Sequence, residues 1–142
     1  MSAYDDQNIF AKILRGEAPC VRLYEDDTAL AFMDIMPRGD GHLLVIPKTA
    51  ARNLLDIAPS ALSAFMPAVQ KLARAAKAAL AADGVTLLQF NEQAGGQVVF
   101  HLHVHIIPRF AGVALKPPGG PMVPADQLEP IAAKIRAALA NS

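Results

Sequence analysis

The run Phe100-His-Leu-His-Val-His-Ile-Ile107 organises the reading of the whole chain. Strict alternation of polar and apolar side chains over so short a span fits a β-strand, on which residues two apart share a face. His101, His103 and His105 are then expected on one side, with Leu102, Val104 and Ile106 facing the core. Upstream, the glycine-bearing loop Glu92 to Gln97 joins this strand to another over Val85 to Asn91. Earlier still, Leu62, Phe65, Met66, Val69, Leu72 and Leu80 recur at three- and four-residue steps between Pro59 and Asp83, opposite Lys71, Arg74 and Lys77. That spacing predicts an amphipathic helix closed by Gly84, with a kink or a delayed start at Pro67, whose ring removes the bond to the Ser63 carbonyl.

Toward the amino terminus, Val21 to Glu25 and Thr28 to Ile35 flank Asp26-Asp27 as a hairpin. His42 to Ile46 reads as a third strand fenced by Pro37, Gly39, Gly41 and Pro47. A short helix fits Ile9 to Arg15, with Asn8 as N-cap and Gly16 beyond its last turn. Past the histidines, the proline- and glycine-rich segment Gly112 to Pro124 forms no regular element. Asp126 to Leu139 closes the chain as a helix presenting Leu128, Ile131, Ile135 and Leu139, its first turn shifted by Pro130. Five strands joined mostly by short turns, one long inserted helix and a helix near each end predict an α+β domain built on a five-stranded antiparallel sheet with flanking helices. No internal repeat competes with that reading.

At 142 residues the chain is expected to form a single domain over 1–142, its motifs lying within about 8–110 and a loop and helix following over 111–142. Thirteen basic residues balance thirteen acidic ones, which argues against a nucleic-acid coat protein and a polybasic membrane anchor. Cys20 is alone, so neither an intramolecular disulfide nor a cysteine-rich zinc motif can form, and a reducing compartment, the cytoplasm, is expected. The start, MSAYDDQN, is acidic rather than leader-like, and the apolar stretch Ala61 to Ala82 is broken by three cations. No membrane association is expected.

Three histidines at alternate positions admit three readings: a solvent-facing strand, a metal site, or nucleophilic catalysis by an imidazole at phosphorus. Same-face neighbours on a strand lie roughly 6.6 Å apart, so only the central ring, His103, sits directly over a small reacting atom while the outer two serve it. The preceding Asn91-Glu-Gln-Ala-Gly-Gly-Gln97 offers amides and backbone freedom at Gly95 and Gly96, suited to cradling anionic oxygens. Asp34 reads as an ordinary turn residue before Pro37 or as a ligand carboxylate. Ile9, Phe10, Phe32 and Ile35 read most simply as core.

The stretch Gly96-Gln-Val-Val-Phe-His-Leu-His-Val-His-Ile-Ile-Pro-Arg109 resembles the signature of the histidine triad (HIT) family, H-x-H-x-H followed by two apolar residues. Asn8 to Pro19, Tyr24-Glu-Asp-Asp, Ala31-Phe-Met-Asp-Ile-Met-Pro37 and Gly41-His-Leu-Leu-Val-Ile-Pro-Lys48 are similar, in order, to blocks of its small nucleotide-binding branch in bacterial form. The resemblance implies the family's antiparallel sheet, a homodimer, and hydrolysis of purine nucleoside phosphoramidates or related nucleotidyl compounds without a cofactor. Related nucleotidyltransferases carry Gln where this chain has His105, which favours a hydrolase.

By matching position, the resemblance makes His103 the nucleophile at the α-phosphorus and His105 a donor to a phosphate oxygen. His101 and His42 match a hydrogen-bonded relay toward the leaving group, Asn91 and Gln97 match phosphate-contacting amides, and Asp34 matches the carboxylate that holds the ribose diol. Ile9, Phe10, Phe32 and Ile35 match an apolar slot for the base. Rival readings are a dinucleoside polyphosphate hydrolase of the same fold, a nucleotide-binding regulatory module, and a metalloenzyme using the three histidines. Two departures stand out. Val98 replaces the usual Ser or Thr beside the phosphate. Asn8, Ala11 and Ala50 stand with His101 where many bacterial relatives hold structural zinc, so no metal is expected, and Ile9, Phe10 and Ile13 are expected to supply stability by packing on the sheet. The Leu62 to Leu80 helix is the first candidate for the dimer face.

Overall fold

The structure, a computed structural model, describes residues 3–141. Helix α1 (Ile9–Leu14) is followed by strands β1 (Arg22–Glu25), β2 (Ala29–Met33) and β3 (Leu43–Pro47), helix α2 (Pro59–Ala79), strands β4 (Gly84–Leu88) and β5 (Val104–Arg109), and helix α3 (Ala125–Ala140). The strands form one antiparallel sheet in the order β1-β2-β3-β5-β4. The α2 crossover delivers β4 to the far edge, and β5 returns to fill the gap beside β3, with Leu44 opposite His105 on one flank and Leu88 opposite His105 on the other.

Two-residue periodicity divides the sheet. Ala29, Ala31, Met33, Leu43, Val45, Val104 and Ile106 face Phe65, Val69, Leu72 and Ala76 of α2 and Leu128, Ala132 and Ile135 of α3. Leu30, Phe32, Leu44 and Ile46 face the opposite way, against Phe10 and Ile13 of α1. Burying each large side chain contributes roughly 1.5 to 3 kcal/mol, so the helical layer is the stronger anchor and α1 the lighter cover. Asn8 caps α1 as expected, its Oδ1 accepting from the Ala11 N–H at 2.9 Å. No helix among the described residues is long and apolar enough to cross a membrane.

Several boundaries differ from the sequence reading. Helix α2 starts at Pro59 and runs on through Pro67, so no delayed start occurs. It is closed at Ala81, not at Gly84: Ala81 takes φ +49° and the Ala82 N–H reaches back to the Lys77 carbonyl at 3.0 Å, while Gly84 already opens β4. Pro130 likewise leaves the start of α3 at Ala125. Strand β5 begins only at Val104, because the Leu102 N–H is drawn off the ladder to the Ala51 carbonyl at 2.9 Å. Leu102 is buried with Ala51 and Ile57 in a cluster of its own rather than beside Val104 and Ile106.

Gly41 enters β3 with φ +83°, and a Cβ there would lie 2.4 Å from Leu80 Cδ1 and 3.0 Å from Pro108 Cγ. Gly41→Ala is therefore expected to destabilise the protein by roughly 2 to 4 kcal/mol, combining left-handed strain with overpacking. Gly112→Ala, at φ +80° with nothing within 4 Å of the added carbon, should cost only about 1 kcal/mol. Urea unfolding of both variants checks the difference.

Candidate active site

Strand parity collects the expected residues on the α1 side of the sheet. Phe32 and Asp34 share one alternation, as do His42 and Leu44, and His105 pairs with Leu44 across β3 and β5. His103 lies just before β5, its ring edge-on to Phe10 at 4.9 Å between centroids and 5.0 Å from the His105 ring. Only His105 of the three motif histidines belongs to the regular strand.

Hydrogen bonds assign the proton on each ring, because a neutral imidazole has one donor and one acceptor. His103 Nδ1 faces the His101 carbonyl at 2.7 Å and must donate to it, leaving Nε2 with its lone pair. The Arg38 N–H donates to His42 Nδ1 at 3.0 Å, so the His42 proton is on Nε2, 2.9 Å from His105 Nδ1. His105 in turn carries its proton on Nε2. His101 Nε2 donates to the Pro47 carbonyl at 2.9 Å, and its Nδ1 accepts from the Tyr4 hydroxyl at 2.6 Å. The expected relay of His101 with His42 is thus divided: His42 is bonded to His105, and His101 to Tyr4 and Pro47.

Burial keeps all four rings neutral near pH 7. Desolvation lowers the pKa of His101 and of His103, pulls His42 down to about 4 with help from Arg38, and pulls His105 down to about 3 with help from His103, His42 and Arg38. Asp34 Oδ2 lies 3.3 Å from His42 Nε2 and 3.8 Å from His105 Nδ1, and with both rings neutral these contacts are not ion pairs. Its Oδ1 accepts from the Met36 N–H at 2.8 Å, and burial pushes the carboxyl pKa up.

The loop ahead of the histidines is held by a network that the sequence did not reveal. Glu92, at φ +66°, receives two bonds from the Arg52 guanidinium at 2.8 and 2.9 Å and one from Asn53 at 2.6 Å. Gln97 is fully engaged: Oε1 accepts from Asn53 and from the Glu92 N–H, and Nε2 donates to the Arg52 and Val99 carbonyls. Its amide shapes the loop and has nothing left for a phosphate, a correction to the expected contact. Asn91 is partly engaged, accepting from the Leu54 N–H and exchanging amide bonds with Gln89. Phe90, also missed, stacks edge-on to His105 at 5.7 Å and lies 3.2 Å from where a Cβ of Gly96 would be, so Gly96 at φ +99° cannot be larger without displacing it.

Of the four apolar slot residues, Phe10 and Phe32 are buried together, ring edge to face at 5.5 Å, whereas Ile9 and Ile35 remain 46% and 42% exposed outside that cluster. The stability expected from Ile9 therefore rests on Phe10 and Ile13 alone. Val98 is 84% exposed on an open hollow of about 340 Å³ lined also by Gln93, Gly96, Gln97 and Phe100. A second hollow of about 380 Å³, between Arg38 to Asp40 and the 107–116 segment, contains none of the histidines.

The three motif histidines do not converge as metal ligands. Asp34, His42 and His105 do bring ligand atoms together, at spacings of 2.9, 3.3 and 3.8 Å that suit an ion about 2.0 Å from each. Protonation opposes it: a ligating histidine donates from its other nitrogen, whereas His42 Nδ1 already accepts from Arg38. At the position where the resemblance implies a structural zinc in bacterial relatives, the residues do not fit a metal either. Ala11 and Ala50 offer no donor atom, Asn8 is spent as a cap, and only His101 remains.

A five-stranded antiparallel sheet with a histidine cluster beside its central strands defines the class of α+β protein, and comparison with known proteins gives the family. The chain belongs to the HIT family: the HIT domain matches residues 15–112. It is 43% identical to adenylylsulfatase HINT3 of Arabidopsis thaliana over 108 residues, 76% of this chain and 55% of that protein, so the match spans about half of the plant protein. It is 39% identical over 101 residues to adenosine 5'-monophosphoramidase hnt1 of Schizosaccharomyces pombe, covering 71% of this chain and 73% of the yeast protein. Among solved structures, a Hit-like protein from Bartonella henselae superposes with a TM-score of 0.92 at 55% identity over 96% of this chain and 99% of that one.

Neutral buried histidines make stability pH-dependent with a definite sign. Above pH 6.5 the rings are neutral in both folded and unfolded chains; below it the unfolded chain takes up protons that folded His42 and His105 refuse until about pH 4 and 3. Stability should therefore fall as pH drops from 6.5, by up to roughly 1.4 kcal/mol per pH unit for each ring. Asp34 acts in the opposite sense, since its raised pKa makes the folded chain take up a proton before the unfolded one as pH falls. Urea midpoints at pH 7.5 and 5.5 test it; an equal or higher midpoint at 5.5 contradicts the assignment of neutral rings.

Proposed function

We propose that this protein is a nucleotide hydrolase that cleaves purine nucleoside 5′-phosphoramidates or related nucleotidyl compounds through a covalent nucleotidyl-histidine. The observation that carries the reading is the state of His103. One nitrogen is committed to a backbone carbonyl, and the other keeps its lone pair beside a second imidazole whose remaining proton is on Nε2. The names of the plant and yeast relatives, one an adenylylsulfatase and the other an adenosine 5'-monophosphoramidase, support an adenylyl substrate.

His103 Nε2 attacks the α-phosphorus and forms an N–P bond. The bond from phosphorus to the leaving nitrogen breaks, its electron pair passing to the amine, which takes a proton from water. The hydroxide left by that water then adds to phosphorus, the pair of the N–P bond returns to Nε2, and a nucleoside monophosphate is released. A neutral imidazole is a competent nucleophile near pH 7, and its phosphoryl adduct is labile enough to turn over. His105 stabilises the charge gathering on a non-bridging oxygen by donating from Nε2. It does not act as the acid, since a buried neutral imidazole that gave up its only proton would become an anion. His42 holds His105 in the donating tautomer, and His101 serves His103 through its carbonyl. Asp34 binds the ribose hydroxyls, and Phe10 and Phe32 floor the base slot.

A homodimer belongs to the same reading. The apolar stripe of α2 is already spent on the sheet, so that helix is a poor candidate for the interface. The unpaired edge of β4, where Leu87 is half-exposed, is the better one.

His103→Ala should abolish hydrolysis of an adenosine phosphoramidate while binding of AMP stays within about threefold, the apolar slot and Asp34 being untouched. Alkaline denaturing quench of wild type during turnover, followed by proteolysis at alkaline pH, should yield a nucleotidylated peptide containing residues 101–105. Retention of most of the rate by the variant would overturn the assignment, and parallel assays on acyl nucleotides and diadenosine polyphosphates identify the preferred leaving group.

Asp34→Ala should weaken a ribonucleotide by about tenfold or more, the loss of a charge-assisted hydrogen bond, and weaken its 2′,3′-dideoxy analogue much less. Calorimetric titration of both ligands checks this; equal losses would refute a ribose contact.

A further inference from the structure

His101 is 1% exposed, and both ring nitrogens have partners from other segments: the Pro47 carbonyl on Nε2 and the Tyr4 hydroxyl on Nδ1. Because the Pro47 carbonyl can only accept, it takes the single ring proton, and Nδ1 is left as a buried lone pair that requires a donor. Tyr4 supplies it. The phenol is itself oriented by Asn8, whose Nδ2 donates to the Tyr4 oxygen at 3.0 Å and to the Asp5 carbonyl at 2.7 Å while its Oδ1 caps α1. The two rings also meet edge to face at 5.7 Å. Burial raises the Tyr4 pKa, so the hydroxyl stays protonated and able to donate. The residue thus held is the one whose own carbonyl accepts the proton of His103 Nδ1 at 2.7 Å.

We propose that Tyr4 is a positioning residue of the active site: its hydroxyl satisfies the buried Nδ1 of His101 and holds that imidazole neutral in one seat, and through the His101 carbonyl keeps His103 presenting a bare Nε2. The Tyr4–Asn8 pair occupies the side of His101 where no metal can be assembled from Asn8, Ala11 and Ala50. The neutral hydroxyl saturates Nδ1, and it ties the segment ahead of α1 to the histidine segment. The effect on turnover rests on the reading of His103 as nucleophile; the tautomer of His101 does not.

The test is Tyr4→Phe, which keeps the ring contact and removes only the donor. In wild type, two-bond proton–nitrogen correlation spectra should show His101 protonated at Nε2 and bare at Nδ1. In the variant, with no donor stabilising the neutral form, the His101 pKa should rise, with the ring proton still on Nε2 facing Pro47. On an adenosine phosphoramidate, kcat should fall by roughly threefold to tenfold, as for the loss of one hydrogen bond, with KM within about twofold because Tyr4 meets no substrate. The acid limb of the kcat profile should also move to higher pH. An unchanged His101 pKa in Tyr4→Phe would overturn the contact, and a shifted His101 pKa with unchanged kcat would overturn the positioning role. A wild-type protein without hydrolase activity would instead defeat the proposed function, leaving the spectroscopic result to decide the contact.

Discussion

A buried neutral imidazole must find one acceptor for its proton and one donor for its lone pair, and the architecture of this site follows from meeting that demand in full at His42 and His101 and at Nδ1 alone of His103 and His105. The partners are almost all backbone groups or other rings: the His101 and Pro47 carbonyls, the Arg38 N–H, and His105 itself. The His42–His105 and His101–Pro47 bonds cross between segments distant in sequence, so the protonation pattern of the site depends on the packing of the sheet. Moving β3 against β5 by one residue would place His42 and His105 on opposite faces and leave buried nitrogens unsatisfied. The register of Leu44 with His105 is therefore as much a chemical requirement as a packing one.

The loop from Phe90 to Val99 meets the opposite requirement, holding backbone in shapes it does not prefer. Glu92 at φ +66° costs on the order of 1 to 3 kcal/mol and persists because Arg52, Asn53 and Gln97 bind its side chain and its N–H. Gly96 then lets Phe90 close on His105, and Val98 projects outward from the turn. The Arg52 guanidinium also lies 4.1 Å over the Phe100 ring, tying this frame to the start of the histidine segment. Strain next to the reacting group is thus supported by a polar frame beneath it, built mostly of residues with no direct part in the proposed chemistry.

The parts legible in the sequence were those governed by local periodicity. Five strands, the inserted helix and the clustering of Asp34, His42, His103 and His105 on one face all follow from alternation and turn residues. What escaped was set by contacts between segments. An N-terminal tyrosine has no pattern that ties it to His101, 97 residues away. Gln97 looked like a ligand because an amide beside glycines suits anions, and nothing local says that its four hydrogen-bonding positions are filled from residues 52, 53, 92 and 99. The histidine alternation overstated the strand for a related reason: the period of two survives in an extended segment whose N–H groups bond elsewhere.

His103 is held by a carbonyl, and the choice of partner bears on whether it can be a nucleophile. A carboxylate on Nδ1 would stabilise the imidazolium strongly and raise the pKa, which suits a general base that must accept a proton. A nucleophile needs the reverse, a ring unprotonated at working pH and still polarised enough to attack. The neutral carbonyl of His101 orients Nδ1–H and favours the charged form only slightly, while desolvation outweighs it and keeps the pKa below its ordinary value. Asp34, the nearest carboxylate in the cluster, contacts His42 and His105 instead. The negative charge is thereby kept off His103, and in the proposed reaction an anionic phosphoryl group approaching Nε2 meets a neutral lone pair and the His105 proton.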